Sequence, residues 1–284
     1  MIKFVNAKLN LGLNIVRRRE DGYHDLETVF YPVGLHNGTP DNPESFCDIL
    51  EITPAEETTD FVFTGRKVDC ELEKNLVYKA WKIFKDNYPS LRHYRIALEK
   101  HIPDGAGLGG GSADAAFVLA AINEIEGKPF SDEALAGMAL RLGADCPFFI
   151  YNHPCFASGV GEKIESVSLD LSGWWCLLVK PDIHISTKEA FAGISPCIPS
   201  ENLKKIIDEP VEKWQGRMIN DFEGSLFPSH PVLAGIKTSL LESGAAYSAM
   251  SGSGSTVFGL YPSREKAVEA SGMFKGHFVA VCML

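Results

Sequence analysis

The stretch Pro103-Asp-Gly-Ala-Gly-Leu-Gly-Gly-Gly-Ser-Ala-Asp-Ala-Ala116 constrains this chain more than any other. Upstream, Tyr94 to Lys100 alternates apolar and polar residues, the period of a half-buried strand. Downstream, Ser112 to Glu126 carries apolar residues at helical spacing, and Gly127 is placed to end that helix. Between strand and helix lie five glycines in the seven positions from Gly105 to Gly111. Glycine lets a backbone approach a ligand closely and turn its N–H groups toward it. With Ser112 at the positive end of the helix dipole, the stretch has the composition of a phosphate seat. A turn that binds nothing is the plainer reading, but a simple turn seldom needs so many glycines at a helix entrance.

Two familiar phosphate loops are excluded. Gly105, Gly107 and Gly110 satisfy G-x-G-x-x-G, yet Ser131 to Leu142 reads as a second helix where a dinucleotide-binding unit needs a strand ending in Asp or Glu. No Lys-Ser or Lys-Thr follows the glycines, so the loop is not of the Walker type.

With 284 residues and 45% hydrophobic content, the chain can build one large domain or two modest ones. A net charge of −10 without a long basic run argues against nucleic acid or an anionic membrane as partner. Seven cysteines, none in a C-x-x-C pair, read as reduced thiols of a cytoplasmic protein rather than disulfides or a zinc site. The N-terminus lacks an apolar signal core, and no run reaches membrane-spanning length.

Residues 2–16 alternate, placing Leu9, Leu11, Leu13 and Ile15 on one strand face and Lys8, Asn10, Gly12 and Asn14 on the other. That second face is either solvated or a polar patch holding one cation. Asp21-Gly22 signals a turn and leaves Tyr23 and His24 at the start of the strand Leu26 to Val33. The pair suits a flat heteroaromatic ring, and equally an edge strand beside a surface histidine. Residues 36–46 are rich in Gly, Pro, Asn and Asp and read as a loop of open role. Cys47 to Thr53 and Thr58 to Thr64 read as strands, and Asn75 to Tyr88 as a helix. Asp145 falls between a helix C-terminus and an apolar segment, Cys146 to Phe149, that reads as a strand. Since a carboxylate is disfavoured at a helix C-terminus, Asp145 either caps a turn or is held for chemistry. Trp174 to Val179, Ala246 to Met250, Thr256 to Tyr261 and His277 to Met283 read as strands, with helices over Pro231 to Ser243 and Ser263 to Gly272. This order suggests a split βαβ, ferredoxin-like unit. Ser251-Gly-Ser-Gly-Ser255 is a second Gly/Ser loop, or a flexible hairpin turn.

Taken together, the glycine stretch resembles the phosphate-binding motif of the GHMP kinases. Ala7-Lys-Leu-Asn-Leu11, Asp21-Gly-Tyr-His-Asp-Leu26, Leu142-Gly-Ala-Asp-Cys-Pro147 and Met250-Ser-Gly-Ser-Gly-Ser-Thr-Val-Phe258 are similar, in order, to motifs of the branch that phosphorylates 4-diphosphocytidyl-2-C-methyl-D-erythritol. Departures are small: Cys146 stands where a branched apolar residue is common, and Ser251 where Thr is common.

The resemblance implies an α+β, two-domain fold, with a ribosomal S5 domain 2-like part at 1–155 and a ferredoxin-like part at 156–284. It implies an ATP-dependent kinase of the non-mevalonate isoprenoid route with Asp145 as base and Lys8 as its cationic partner. ATP would rest on Pro103, Asp104, Gly105, Ala106, Gly107, Leu108, Gly109, Gly110, Gly111, Ser112 and Ala113, with Asn75 and Lys100 near the adenine. Tyr23 and Phe191 would sandwich the cytosine, His24 would bond its edge, and Asn10 and Thr187 would contact the substrate. Magnesium is expected with the nucleotide, its ligands unassigned. A monomer or weak homodimer is expected. A kinase for homoserine- or mevalonate-type alcohols, or a non-catalytic nucleotide sensor, stand as alternatives; the first offers no ring to stack and the second needs no base.

Overall fold

The computed structural model describes residues 1–34, 46–68 and 70–284. The segment read as a loop at 36–46 therefore lies, apart from Phe46, outside the described residues.

Seven strands form the first sheet. In chain order they are β1 (Ile2–Arg18), β2 (His24–Val33), β3 (Cys47–Ala55), β4 (Asp60–Gly65), β5 (His93–Lys100), β6 (Cys155–Gly159) and β7 (Lys163–Ser166). Their spatial order is β4-β5-β3-β1-β2-β6-β7, antiparallel except for the β4–β5 pair. The helices of this half are α1 (Leu76–Asn87), α2 (Gly110–Ile125), α3 (Asp132–Leu140) and α4 (Cys146–Tyr151). Helix α2 is the pillar of this half: Ala113, Ala115, Ala116, Val118, Leu119, Ala121 and Ile122 are all buried. Small side chains let it lie close to the sheet, where Val5, Leu50, Ile52, Ile96 and Leu98 join the same core.

The second sheet comprises β8 (Trp175–Lys180), β9 (Tyr247–Met250), β10 (Val257–Tyr261) and β11 (Phe278–Met283) in the order β11-β8-β10-β9. Helices α5 (Thr187–Ala192), α6 (Leu203–Ile206), α7 (Asp221–Leu226) and α8 (Pro231–Glu242) fall between β8 and β9, and α9 (Arg264–Ser271) between β10 and β11. This is the ferredoxin-like arrangement expected from the element order. Sheet membership changes after Ser166, because β6 hydrogen-bonds onto β2 and β7 onto β6.

Strand β1 belongs to both halves. Its first residues pair with β3 and its later ones with β2. Its Leu13 N–H then donates to Ile219 O at 2.8 Å, and Leu13 bridges Asn220. Lys8, Asn10 and Asn14 are buried along with Leu9, Leu11 and Leu13, so neither face of this strand is solvated. The alternation is also interrupted by a register shift between Leu11 and Leu13, at Gly12.

Cys146 to Phe149, read as a strand, forms the first residues of α4. Its short apolar run carries no periodicity that separates a buried strand from a buried helix, and Pro147 suits a first helical turn. Asp145 consequently stands at the N-terminal end of a helix, where its charge is favoured. No helix among the described residues is long and apolar enough to cross a membrane.

Candidate active site

Helix α2 begins at Gly110, with Gly109 as its N-cap, two residues earlier than the spacing implied. No acidic residue occupies its first turn, which leaves the positive end of the dipole uncompensated. The loop before it is tied down at successive carbonyls. Lys8 N–H donates to Leu108 O at 2.9 Å, Thr256 N–H to Ala106 O at 3.2 Å and the Ser251 hydroxyl to Gly107 O at 2.9 Å. Glycine is required at two places for reasons of space as well as torsion. Gly107 has φ +73, and a β-carbon there would lie 2.0 Å from Ser251 O. Gly109 has φ +71, and a β-carbon there would lie 3.1 Å from both Cγ and Cε of Lys8. The cradle is open because side chains are missing from it. Ala106, Leu108 and Ala113 instead face the interior, and Pro103 is buried beside them.

Lys8 reaches up to this loop from β1. Its Nζ donates to Asn10 Oδ1 at 2.5 Å and to Gly107 O at 3.2 Å, and lies 3.3 Å from Asp145 Oδ2. The side chain of Lys8 is 3% exposed and that of Asp145 36%, so a buried cation meets a carboxylate that opens onto solvent. Asn10 is itself held, its amide donating to Thr28 Oγ1 at 3.0 Å while Thr28 donates to Gly12 O at 2.6 Å.

Lys8, Asn10, Gly107, Gly109 and Asp145 open onto a cavity of about 510 Å³ that also receives Tyr23, His24, Thr187 and Phe191. Its aromatic wall is a stack of His24 on Phe191, ring centroids 4.7 Å apart and 19° from parallel. Phe222 meets Phe191 edge-on at 4.9 Å. Tyr23 stands at the rim, 66% exposed.

A second cavity, of about 160 Å³, lies on the other side of the loop against Asn75, Leu76, Asp104, Gly111 and Asp114. Asn75 caps α1, its side chain accepting from Val77 N–H. Lys100, expected near the adenine, is committed elsewhere. Its ammonium is buried between Asp48 Oδ2 at 2.5 Å and Asp114 Oδ2 at 2.7 Å. Burial alone would lower the lysine's pKa, but the two carboxylates outweigh it and the net shift is upward. For Asp114 burial wins over the attraction of Lys100 and lifts the carboxyl well above its ordinary 3.8. Asp48 also accepts from the N–H groups of His101 and Ile102. Asp48 is therefore the better-satisfied carboxylate of the triad, and Asp114 the one whose proton is held more tightly than in water.

Ser112, expected to open the helix, is its third residue, and its hydroxyl and the Cys146 thiol both lie against Gly143. Burial pushes that thiol up to about 12, so Cys146 serves as a small apolar residue in place of a branched one. Sequence reasoning passed over Thr28, Asp48 and Asp114. It saw the loop 251–255 but assigned it no side chain, although the Ser251 hydroxyl ties that loop to the glycine loop. Among the described residues, no group of three or more His, Cys, Asp or Glu side chains gathers to hold a metal.

A glycine cradle at a helix N-terminus, closed by a second Gly/Ser loop and facing a lysine–aspartate pair, defines a small-molecule kinase of the GHMP class. Residues 75–153 match the GHMP kinases N terminal domain and residues 203–280 the GHMP kinases C terminal family. Within that class the chain belongs to the 4-diphosphocytidyl-2-C-methyl-D-erythritol kinase family. It is 50% identical to the kinase of that name from Parabacteroides distasonis over 92% of each chain, and 49% identical to that of Bacteroides fragilis over 94% of each. A crystal structure of a 4-(cytidine 5'-diphospho)-2C-methyl-D-erythritol kinase superposes with a TM-score of 0.82 at 30% identity, covering 99% of this chain and 98% of that one. The homoserine kinase of Cytophaga hutchinsonii, 18% identical, shares the fold with a TM-score of 0.71, covering 99% of this chain and 95% of its own.

Proposed function

We propose that this chain transfers the γ-phosphoryl group of ATP to the 2-hydroxyl of 4-diphosphocytidyl-2-C-methyl-D-erythritol. The observation that carries the reading is the Lys8–Asp145 pair, 3.3 Å apart, at the meeting of the glycine loop and the aromatic cavity. In this reading Asp145 takes the hydroxyl proton as the oxygen attacks phosphorus and the bond to the ADP oxygen breaks. Lys8 steadies the carboxylate and the developing alkoxide. Phosphoryl transfer passes through a loose transition state and needs mostly positioning and charge neutralisation. The loop backbone and the α2 dipole supply part of that, and magnesium travelling with the nucleotide supplies more.

The nucleotide would lie with its base toward Asn75 and its phosphates along the loop, ending at Gly107 and Gly109. The half from 156 to 284 would serve the acceptor through Thr187 and Phe191. As the rings stand, His24 occupies one face of Phe191. A cytosine entering a sandwich with Tyr23 would displace the imidazole from that face toward the ring's edge. The test is ADP release by the purified protein with ATP, magnesium and each of three acceptors: the diphosphocytidyl erythritol, homoserine and mevalonate. Turnover with the first alone supports the reading. Turnover with another acceptor removes the assignment of Tyr23, His24 and Phe191, and none with any acceptor removes the kinase chemistry.

A further inference from the structure

After β8 the chain runs as a strap, Pro181 to Ser186, across the entry of the glycine loop. Two anchors fix it. The Ser255 hydroxyl donates to Ile183 O at 3.0 Å, and Ile185 is buried with its Cδ1 3.6 Å from where a β-carbon on Gly254 would stand. Between these anchors His184 is exposed, and its ring lies over Gly105. A β-carbon on Gly105 would stand 3.1 Å from Nδ1 and 3.3 Å from Cε1 of the imidazole. Among the described residues neither ring nitrogen has a hydrogen-bond partner. Beyond the strap, the Ser186 hydroxyl accepts from Glu189 N–H and starts α5, which carries Thr187 and Phe191 into the larger cavity.

The charge balance of the loop gives this placement a purpose. Gly105 to Gly111 includes no cationic side chain. Lys8 is engaged with Asn10, Gly107 and Asp145, and Lys100 is enclosed by two carboxylates. An imidazole offers an N–H donor, and a cation when protonated, next to a loop otherwise furnished with backbone groups alone. We propose that His184 is a phosphate ligand of the bound nucleotide, its Nδ1–H donating to an oxygen seated on Gly105. The proposal rests on the loop being the phosphate seat, and it makes the second half of the protein a direct contributor to nucleotide as well as acceptor binding.

The experiment is calorimetric titration of the full chain with ATP, ADP and adenosine, comparing wild type with His184→Leu and His184→Gln. A charge-assisted hydrogen bond predicts about a tenfold loss of ATP and ADP affinity in the leucine variant. Adenosine binding should be unchanged, and glutamine, which keeps a donor, should recover most of the loss. An equal loss for adenosine and ADP would make His184 a cover for Gly105 and overturn the proposal, as would full ATP affinity in His184→Leu. If wild type binds neither ATP nor ADP, the phosphate seat itself is wrong and both readings fall together.

Discussion

Ser251 and Gly107 are locked across 144 positions of sequence: the serine hydroxyl donates to the glycine carbonyl at 2.9 Å, and the serine carbonyl lies where a β-carbon of Gly107 would be. The Asn10 N–H also donates to Ser251 Oγ at 3.2 Å. The two loops and β1 are therefore joined as one body, and the surroundings of the Lys8–Asp145 pair are set by a contact between halves of the chain.

Gly107→Ala should break that body. At φ +73 the new methyl meets backbone 2.0 Å away, which no rotamer can relieve. Strain and overpacking together should cost about 1–3 kcal/mol of stability and reduce turnover far more than Ser251→Ala does. The serine variant loses one hydrogen bond, worth about 1 kcal/mol. Urea unfolding and initial rates on both variants provide the check.

Asp145→Asn should lower kcat by about a hundred- to ten-thousandfold while leaving the melting temperature close to wild type, since the side chain is partly solvated. The KM for ATP should hardly move. A variant retaining more than a third of wild-type turnover would remove Asp145 from the role of base.

Phe191→Ala should raise the KM for the cytidyl acceptor about tenfold or more, through loss of ring contact, and leave the KM for ATP within about twofold. Steady-state rates with each substrate varied in turn separate the two constants. Equal shifts in both would mean that the aromatic wall shapes the whole cleft rather than the acceptor alone.

The Asp114 carboxyl binds its proton more tightly folded than unfolded, so folding takes up a proton above the ordinary carboxylate range. Its contribution to stability is full below pH 3.8 and is lost as pH rises through the raised value. Asp114→Asn should therefore flatten the decline of the urea midpoint with rising pH that wild type is expected to show. Lys100→Met, which strands two buried acids, should cost about 3–5 kcal/mol near neutral pH. A wild-type profile that matches Asp114→Asn at every pH would mean that Asp114 stays ionised.

Local chemistry was the legible part of this chain. Strand, glycine loop and helix around residues 94–126 could be read because glycine and helical periodicity are local signals, and the ferredoxin-like order followed from alternation in the last third. Asp145 was found, but its helix was not, since six apolar residues carry no usable period. The resemblance put Lys100 near the adenine and said nothing of its partners, Asp48 and Asp114, which lie 52 and 14 positions away with no local pattern to announce them. The burial of Lys8 was equally hidden. A strand of alternating character reads as half-solvated unless one knows that α2 and the second half cover its polar face.

The dual membership of β1 carries a consequence for how the protein is made. The strand cannot complete its contacts until Ile219 and Asn220 have been made, so its far end waits through roughly two hundred further residues. A fragment ending before that point presents Leu13 and its neighbours without their cover. Cutting the gene between the halves should thus yield two pieces that are active only when co-expressed.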